Sequence, residues 1–499
     1  MNFLGETLEA LRRRGDEPWI LHGDRVLTGN QLLSRTGASQ AALRKAGVGA
    51  GDRVILIGPN SPEWIMMDLA IQCEGALPVP LYTRQTPDEM LVTIRDCAPS
   101  LVICADEDLA APLRSADAPL RVYAELDGPV ASPEVRPRDD GDPVRIFYTS
   151  GTSGAAKGAV LTVANVDFML PRTGQRLDLL MAGTLERERV FHYLPFCFAG
   201  SWILLYTCLQ RAGLLRLATS LEALVSEMGA HEPHFVLNVP LLLDRMRAGI
   251  EAKTPRWLRP LLRGMVRRKL FGPRLKALIC GSAPLAADTQ RFFGKLGVEV
   301  LQVYGLTETT AICTMDLPGH PEPGCVGRAI EGCEMETDDQ GAIRVRGPNI
   351  FAGYWGREPP DADDWFDTGD LGEVDARGNW RIFGRAKNLI VLASGHNVAP
   401  EPLEEELAQA LPAAEQIVLF GDGRPGLVAL VAGDAARSDV DAALERFNAN
   451  RPHYGRVRGG HLHPRSLADE PGLLTANGKL RRDRIAAQFA AELEALYTS

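Results

Sequence analysis

A glycine-rich loop behind a short apolar run constrains the fold of this chain more than any other feature. Residues 148–158 read Tyr-Thr-Ser-Gly-Thr-Ser-Gly-Ala-Ala-Lys-Gly, and Val144, Ile146 and Phe147 precede them. The apolar run predicts a short buried strand, and glycines let the backbone after it turn sharply against a ligand. Because ligand sites commonly lie at the end of a strand, the sequence predicts a binding loop at this point.

The chemistry of this loop suits a polyphosphate. Successive backbone N–H groups form an anion-binding concavity, hydroxyl groups add donors, and a lysine supplies a mobile positive charge. The candidate phosphate-binding residues are Thr149, Ser150, Gly151, Thr152, Ser153, Gly154 and Lys157. The Walker A pattern Gly-x-x-x-x-Gly-Lys-Ser/Thr is not met here. For the loop taken alone, a flexible serine/glycine linker is the alternative interpretation.

Residues 303–310, Val-Tyr-Gly-Leu-Thr-Glu-Thr-Thr, combine three groups that suit a magnesium nucleotide. An aromatic face can stack on a purine, a threonine hydroxyl can hydrogen-bond a phosphate, and glutamate oxygens suit Mg²⁺. A helix N-terminus capped by threonine is the alternative interpretation of this motif alone.

Four other segments carry related chemistry. Residues 280–285, Cys-Gly-Ser-Ala-Pro-Leu, end an apolar run and predict a strand-to-loop turn. Residues 365–370, Trp-Phe-Asp-Thr-Gly-Asp, supply a carboxylate that can accept hydrogen bonds from both hydroxyls of a ribose. Residues 384–388, Gly-Arg-Ala-Lys-Asn, and residues 474–481, Leu-Thr-Ala-Asn-Gly-Lys-Leu-Arg, place basic side chains beside glycines. Alone, each segment would be an ordinary turn with solvated charges.

The six motifs, in their order along the chain, resemble those of the adenylate-forming superfamily: acyl-CoA synthetases, aryl-CoA ligases, luciferases and nonribosomal adenylation domains. The resemblance covers nearly the whole chain. The usual loop is Tyr-Thr-Ser-Gly-Thr-Thr-Gly-x-Pro-Lys-Gly, from which this chain departs at Ser153, which keeps a hydroxyl, and at Ala156, which removes rigidity but no ligand. Residues 397–404, residues 421–425 and the C-terminal end look most like bacterial long-chain fatty acyl-CoA synthetases.

The resemblance implies a role for each motif. The residues implied in catalysis are Lys479, which bridges the carboxylate and the α-phosphate, Thr307, which contacts the α-phosphate, and Glu308, which holds Mg²⁺. The residues implied in adenine or ribose binding are Gly281, Ser282, Ala283, Tyr304, Gly305, Asp370 and Arg385. The acyl pocket is implied to include Phe198, Trp202, Asn238 and Ser282, and the thiol channel Ser394 and Gly395. Phe198 stands where many relatives have histidine, and Ser282 replaces a glycine and is expected to narrow the pocket wall.

The resemblance also implies two domains, an AMP-binding domain over residues 1–386 and a mobile C-terminal domain over residues 387–499 that turns about a hinge at Lys387. The pattern of the chain itself fits this fold. Short apolar runs at 54–57, 101–104, 235–239 and 298–303 alternate with helical patterns, which predicts α/β units with a mostly parallel sheet. From Gly341 onward, strands separated by turns predict a small antiparallel or barrel-like subdomain. After Lys387 a compact α+β unit is expected, with helices at 401–410, 438–448 and 480–497 and strands at 415–420 and 426–431.

The composition limits the partners of the chain. Its 499 residues predict two or more domains, and a net charge of −10 argues against a nucleic-acid partner. The sequence contains no uninterrupted apolar window of about 18 residues, so no transmembrane helix is expected. Its first residues lack the basic and then apolar pattern of a signal peptide. Nine cysteines without Cys-x-x-Cys spacing predict reduced thiols, with no metal site or disulfide frame. We therefore expect a cytoplasmic protein.

One basic segment allows two interpretations. Residues 256–276 carry eight arginines and lysines among apolar residues. This pattern is typical of a helix that lies on an anionic membrane surface, and equally of an ordinary solvated helix face.

The implied reaction has two half-reactions. A carboxylate attacks the α-phosphate of Mg-ATP to give acyl-AMP and pyrophosphate, and a thiol, from CoA or phosphopantetheine, then takes the acyl group. We expect a medium- or long-chain fatty acid, because residues 201–206 and 236–240, which by resemblance border the acyl pocket, contain no arginine or lysine. Three alternatives stay open: a stand-alone enzyme that loads an acyl or aryl group onto a carrier protein, a ligase whose acid is aromatic, and a catalytically silent nucleotide-binding homologue.

Overall fold

The computed structural model describes residues 2–126, 128–149, 156–254, 259–360, 364–475 and 478–498. The chain forms two compact units. The first comprises Met1–Met335, Val345–Phe366 and Val374–Arg381. The second comprises Glu336–Arg344, Asp367–Glu373 and Ile382–Ser499.

Strands and helices alternate through the first 330 residues. The strands are β1 (Pro18–His22), β2 (Arg25–Thr28), β3 (Arg53–Ile57), β4 (Leu77–Leu81), β5 (Leu101–Cys104), β6 (Leu120–Val122), β7 (Pro143–Thr149), β8 (Lys157–Thr162), β9 (Arg189–His192), β10 (Leu214–Leu217), β11 (Phe235–Asn238), β12 (Ala277–Cys280), β13 (Glu299–Tyr304), β14 (Thr314–Met315) and β15 (Arg328–Ala329). The helices are α1 (Phe3–Arg13), α2 (Gly29–Lys45), α3 (Pro62–Cys73), α4 (Pro87–Cys97), α5 (Glu107–Ala110), α6 (Val163–Met181), α7 (Ala199–Gln210), α8 (Leu224–His231), α9 (Pro240–Lys253), α10 (Arg259–Phe271) and α11 (Ala287–Lys295).

The largest sheet has nine strands in the order β15-β14-β13-β12-β11-β9-β10-β1-β2. From β13 to β1 every neighbouring pair is parallel, and only the outer strands β14, β15 and β2 run antiparallel. The strands are short apolar runs because both faces of a parallel sheet are covered. The carboxyl ends of β9, β11, β12 and β13 therefore lie along one edge of the sheet.

A second parallel sheet has the order β4-β3-β5-β6, and β7 and β8 form an antiparallel pair. The core of the second sheet is formed by aliphatic side chains such as Ile55, Val79 and Val102, and it includes Ile146 of β7. Local signals fix the helices around it. Ser61 caps α3 by accepting the Trp64 N–H, and Thr86 and Glu89 form a capping box at α4.

The remaining elements begin with a four-stranded sheet in the order β16-β17-β18-β19. These strands are β16 (Glu334–Thr337), β17 (Ala342–Arg346), β18 (Phe366–Val374) and β19 (Trp380–Arg385). The elements that follow are β20 (Ile390–Val391), β21 (Asn397–Val398), α12 (Pro400–Ala410), β22 (Ala414–Phe420), β23 (Leu427–Gly433), α13 (Arg437–Asn448), β24 (Val457–His463), α14 (Arg482–Gln488) and α15 (Ala490–Thr498). In the three-stranded sheet β22-β23-β24, the pair β22–β23 is antiparallel and the pair β23–β24 is parallel.

The predicted fold class is confirmed: mixed α/β with mostly parallel sheets, a small additional sheet and a small C-terminal α+β portion. One predicted helix is interrupted in the structure. The expected helix over 480–497 is two helices, because the backbone leaves the helical conformation at Phe489, the C-cap of α14. The basic segment contributes α10, while residues 255–258 lie outside the described residues. Among the residues that are described, no helix has the length and apolar character needed to cross a bilayer.

Candidate active site

The antiparallel pair β7–β8 holds the two ends of the predicted phosphate loop. Thr149 is the last residue of β7 and lies opposite Lys157, the first residue of β8. The loop residues between them, Ser150, Gly151, Thr152, Ser153 and Gly154, lie outside the described residues. Because Thr149 and Lys157 are paired across the two strands, the first and last positions of the loop are held next to each other.

A tyrosine that the sequence analysis missed connects Lys157 with Glu308. The Lys157 Nζ lies 5.2 Å from the centroid of the Tyr354 ring, which is a cation–π contact. The Tyr354 hydroxyl donates a hydrogen bond of 2.8 Å to Glu308 Oε1. The Phe351 N–H donates to the Glu308 backbone carbonyl over 2.9 Å, which holds the glutamate in place. The predicted phosphate lysine and the predicted metal ligand therefore meet at one aromatic ring.

Tyr304, Gly305, Thr307 and Glu308 leave the carboxyl end of β13 and enter a 3₁₀ turn over Thr307–Thr309. A Cβ added at Gly305 would lie 2.4 Å from the Ala311 carbonyl oxygen, so only glycine fits this close approach of two backbones. The turn keeps Thr307 and Glu308 half-buried at the edge of the sheet.

The segment Gly281, Ser282 and Ala283 follows β12, the parallel neighbour of β13. A Cβ added at Gly281 would lie 2.6 Å from the Val303 Cγ2, so a larger residue here would have to displace the Val303 side chain. Ser282 has a φ of +73°, which is a left-handed conformation for a residue with a side chain, and it is exposed. The structure thus places the predicted adenine-binding segments side by side at the carboxyl ends of two adjacent strands.

Three of the four predicted acyl-pocket residues, Phe198, Asn238 and Ser282, lie at the same edge. Asn238 ends β11, next to β12, and Phe198 ends the loop that follows β9. The Phe198 ring lies 5.3 Å from the Tyr82 ring, and the Tyr193 hydroxyl donates to Asn238 Oδ1 over 3.5 Å. Trp202 of α7 is fully buried.

The loop before Phe198 is fixed by a residue from outside the predicted site. Asn60 Nδ2 donates to the Leu194 carbonyl over 2.7 Å, and the Phe196 N–H donates to Asn60 Oδ1 over 2.9 Å. His192 at the end of β9 is buried against Ser201 Oγ at 2.7 Å, and burial lowers the pKa of His192 to about 4. This histidine is therefore uncharged at neutral pH.

The second unit contains the remaining predicted residues. Asp370 of β18 is buried and pairs with Arg385 of β19 through the Arg385 Nε and the Asp370 Oδ1, which are 2.9 Å apart. Arg385 Nη1 also donates to the Thr368 carbonyl over 2.9 Å. The two predicted ribose ligands therefore contact each other, and the ion pair holds the carboxylate in a single orientation.

Lys387 lies in a 3₁₀ turn over Ala386–Asn388, and the Asn388 side chain donates to Glu401 Oε1 over 2.6 Å. Ser394 and Gly395 form an exposed turn in which Ser394 Oγ lies 2.9 Å from His396 Nδ1.

Lys479 follows Gly478, whose φ is +80°. The Thr475 N–H donates to the Lys479 carbonyl over 2.8 Å, and the Lys479 N–H donates to Thr475 Oγ1 over 3.0 Å. These two hydrogen bonds tie Lys479 to Thr475, and residues 476 and 477 lie outside the described residues.

The donor set around Glu308 fits a nucleotide-bound Mg²⁺. Among the described residues, no group of three or more histidine, cysteine or acidic side chains forms a metal cage. Mg²⁺ is usually bound by one or two carboxylates together with substrate phosphates and water. Glu308 offers one such carboxylate, oriented by the Tyr354 hydroxyl.

Comparisons with known proteins agree with this geometry. Residues 8–355 match the AMP-binding enzyme family, and residues 387–499 match the AMP-binding enzyme C-terminal domain. The chain is 28% identical to the long-chain-fatty-acid–CoA ligase FadD15 of Mycobacterium bovis, over 94% of this chain and 91% of that protein. It is 29% identical to a feruloyl-CoA synthase of an Amycolatopsis species, over 94% of this chain and 95% of that protein.

The fold is also that of a solved structure, the o-succinylbenzoate coenzyme A synthetase MenE of Bacillus subtilis in complex with ATP and magnesium ion. The TM-score is 0.79 at 20% identity, and the superposition covers 97% of this chain and 98% of MenE. The chain therefore belongs to the AMP-binding enzyme family and is an AMP-forming acid–thiol ligase.

Proposed function

We propose that this ligase converts a medium- or long-chain fatty acid into its CoA thioester. The observation that carries the proposal is the uncharged character of the acyl side of the first unit. Phe198 packs against Tyr82, and His192 is neutral because burial lowers its pKa to about 4. Arg145, which lies over Trp202, is already paired with Asp68. Beside these side chains, a second carboxylate on the substrate would be desolvated without a partner, which is unfavourable by several kcal/mol.

The first half-reaction is an in-line attack of the fatty-acid carboxylate on the α-phosphate, with pyrophosphate as the leaving group. We assign the β- and γ-phosphates to the loop that begins at Thr149 and ends at Lys157, and the α-phosphate to Thr307. The Lys157 ammonium offsets phosphate charge, and the Tyr354 hydroxyl orients the Glu308 carboxylate. When bound at Glu308, Mg²⁺ would neutralise part of the charge on the phosphates.

We assign the nucleoside to the predicted adenine- and ribose-binding residues. Tyr304 offers its ring to adenine, and the backbone of Gly281 and Ala283 borders the base. Asp370 accepts hydrogen bonds from the ribose hydroxyls, in an orientation that its pairing with Arg385 fixes. Lys479 donates to the oxygens of the α-phosphate and the acid as negative charge shifts between them, which is the kind of electrostatic stabilisation that dominates acyl and phosphoryl transfer.

In the second half-reaction the CoA thiolate attacks the carbonyl carbon of acyl-AMP, and AMP leaves. We propose that residues 387–499 rotate as a domain about Lys387, which withdraws Lys479 and brings Ser394 and Gly395 to the thiol. Cys197, next to Phe198, does not compete as a nucleophile, because desolvation raises the pKa of its thiol to about 12.

A product analysis across acids of different chemistry tests the proposal. Decanoate, benzoate and malonate are incubated separately with MgATP, with and without CoA, and acyl-AMP is trapped with hydroxylamine. We expect AMP and pyrophosphate, with decanoate giving the highest turnover and malonate the lowest. Release of ADP would contradict a ligase and indicate a kinase, whereas no ATP consumption with any acid would support a silent nucleotide-binding protein.

An aryl acid is the second candidate substrate. The feruloyl-CoA synthase relative is as similar in sequence as the long-chain fatty-acid ligase, and Tyr82 and Phe198 present rings on which an aryl group can pack. A higher kcat/KM for benzoate than for decanoate would select this alternative. Transfer to a phosphopantetheine-bearing carrier protein in preference to CoA would instead identify a stand-alone loading enzyme.

A further inference from the structure

A charged side chain is buried completely inside the first unit. Arg145 of β7 has no solvent exposure, and its Nη1 donates to Asp68 Oδ1 of α3 over 2.5 Å. The guanidinium carbon lies 4.5 Å from the centroid of the Trp202 ring and 4.7 Å from that of Phe147. Arginine and aspartate are almost never fully buried unless they are paired, so this pair requires an explanation.

The second oxygen of Asp68 binds the helix that begins at the proposed acyl pocket. Asp68 Oδ2 accepts hydrogen bonds from Trp202 Nε1 and the Tyr206 hydroxyl, each over 3.0 Å, and from Gln72 Nε2 over 3.2 Å. Trp202 and Tyr206 are one helical turn apart on α7, so both reach the same carboxylate. A single carboxylate therefore connects β7, α3 and α7. We call Arg145, Asp68, Gln72, Trp202 and Tyr206 the buried network.

The two ends of the buried network lie close in sequence to the two substrate sites. Arg145, Phe147 and Thr149 share one face of β7, because side chains alternate along a strand. In the pairing with β8, Arg145 lies opposite Leu161 and Thr149 lies opposite Lys157. At the other end, α7 starts directly after Phe198. The network thus joins the pair of strands that carries the phosphate loop to the helix that follows the acyl-pocket loop.

Stability alone does not explain a charged network at this place. Replacing a buried ion pair with apolar residues of similar volume is often neutral or stabilising. Here the pairing is also incomplete, because Arg145 Nε and Nη2 and Gln72 Oε1 are buried without a hydrogen-bond partner among the described residues. The network does fix the relative positions of β7, α3 and α7, because each hydrogen bond restricts the distance and angle between two of these elements.

We propose that Arg145 and Asp68 are positioning residues for adenylation. They set the position of β7, and through it Thr149 and Lys157, relative to α7 and the acid. The inference rests on the proposed function, because it uses the assigned phosphate-binding role of Thr149 and Lys157. Small displacements of bound groups lower rates strongly, with a 1 Å error able to cost about 100-fold, so removing the network should slow the chemistry even where the fold persists.

The test compares three variants with the wild type, using the acid that gives the highest turnover. Arg145→Met/Asp68→Leu replaces the charges with apolar groups of similar size. Tyr206→Phe removes one donor to Asp68, and Thr207→Val, on the next position of α7, removes a hydroxyl that bonds only within the helix. Urea unfolding, the KM for MgATP, the kcat for pyrophosphate release and the rate of thioester formation from supplied acyl-AMP are measured for each.

We expect the double variant to fold but to unfold at a lower urea concentration, because Trp202 Nε1 and the Tyr206 hydroxyl lose their acceptor. Its kcat/KM for MgATP should be lowered about 10- to 100-fold. Tyr206→Phe should lower it about threefold, and Thr207→Val should stay within about twofold of the wild type. Thioester formation from supplied acyl-AMP should be close to normal in all three.

A double variant that folds and has wild-type kinetics would overturn the proposal and leave the network a packing feature. If the double variant does not fold, the Tyr206→Phe variant tests the proposal. An unchanged kcat/KM for MgATP in the Tyr206→Phe variant would also overturn the proposal. Failure of the fatty-acid assignment is distinguishable, since the wild type would then show its highest turnover with another acid and the comparison would proceed with that acid.

Discussion

Ser282 adopts a backbone conformation that favours glycine, with a φ of +73°. A residue with a Cβ loses about 1–2 kcal/mol in this region, whereas a glycine adds about 0.5–1 kcal/mol of conformational freedom to the unfolded chain. We therefore expect Ser282→Gly to raise the free energy of unfolding by about 0.5–1 kcal/mol, measured by urea unfolding. Ser282→Ala keeps the Cβ and serves as the control. Equal changes in the two variants would show that the strain is not the cause.

Tyr354 is the residue through which Lys157 and Glu308 are held together. Tyr354→Phe keeps the ring beside Lys157 and removes the hydroxyl that donates to Glu308. Loss of a hydrogen bond to a charged group amounts to about 1.5–3 kcal/mol, so the KM for MgATP should rise about 10- to 100-fold in steady-state pyrophosphate release. Tyr497→Phe, which removes a hydroxyl bonded to the Gly426 carbonyl, is the matched control and should leave this KM unchanged. No difference between the two variants would exclude Tyr354 from the nucleotide site.

Lys479→Ala should separate the two half-reactions. The substitution removes a positive charge from the developing charge at the α-phosphate, and loss of such a donor lowers the rate about 10²- to 10³-fold. Acyl-AMP formation should fall by this factor, while thioester formation from supplied acyl-AMP should change much less. An equal loss in both half-reactions would contradict the assignment of Lys479.

The six motifs could be recognised from the sequence because each is contiguous, with its glycines and polar side chains only a few residues apart. The contacts that orient them are not contiguous. Tyr354 is 46 residues from Glu308, and Arg145 is 77 residues from Asp68. No local pattern in the sequence indicates either of these two contacts.

At the scale of secondary-structure elements, the short turn over Ala386–Asn388 carries the predicted hinge. Lys387→Pro fixes φ near −65° and limits rotation at this residue. We expect adenylation to persist and transfer to CoA to fall at least tenfold, measured as separate half-reactions. Lys387→Ala, which keeps backbone freedom, should transfer normally. Normal thioester turnover in the proline variant would contradict a rotation about Lys387.

The strands were predictable where both faces are buried. Residues 101–104 were expected as a strand from their apolar run alone, and β5 has these bounds. In contrast, β24 was missed, because Val457–His463 carries arginine, glycine and histidine and is a strand only through its parallel pairing with β23. Tertiary pairing overrides local propensity in such cases.

At the scale of the whole molecule, the parallel arrangement of the first unit explains why distant motifs converge. Strands β9, β11, β12 and β13 are parallel neighbours, so the segments that follow them emerge at one edge of the sheet. This edge carries Phe198, Asn238, Ser282 and Tyr304, as expected for ligand sites in open α/β sheets. The order of strands within the sheet, however, is set by crossovers between distant segments and was not readable from the sequence.

The dependence of kcat/KM on chain length tests the fatty-acid assignment most directly. Pyrophosphate release is measured with saturated acids from acetate to decanoate at saturating MgATP. Each methylene group buried in an apolar pocket contributes about 0.8 kcal/mol, which corresponds to about fourfold in kcat/KM. We predict a rise of about this size per methylene until the pocket ends. A flat response from acetate to decanoate, or a clear preference for benzoate, would contradict the assignment and leave the adenylation chemistry intact.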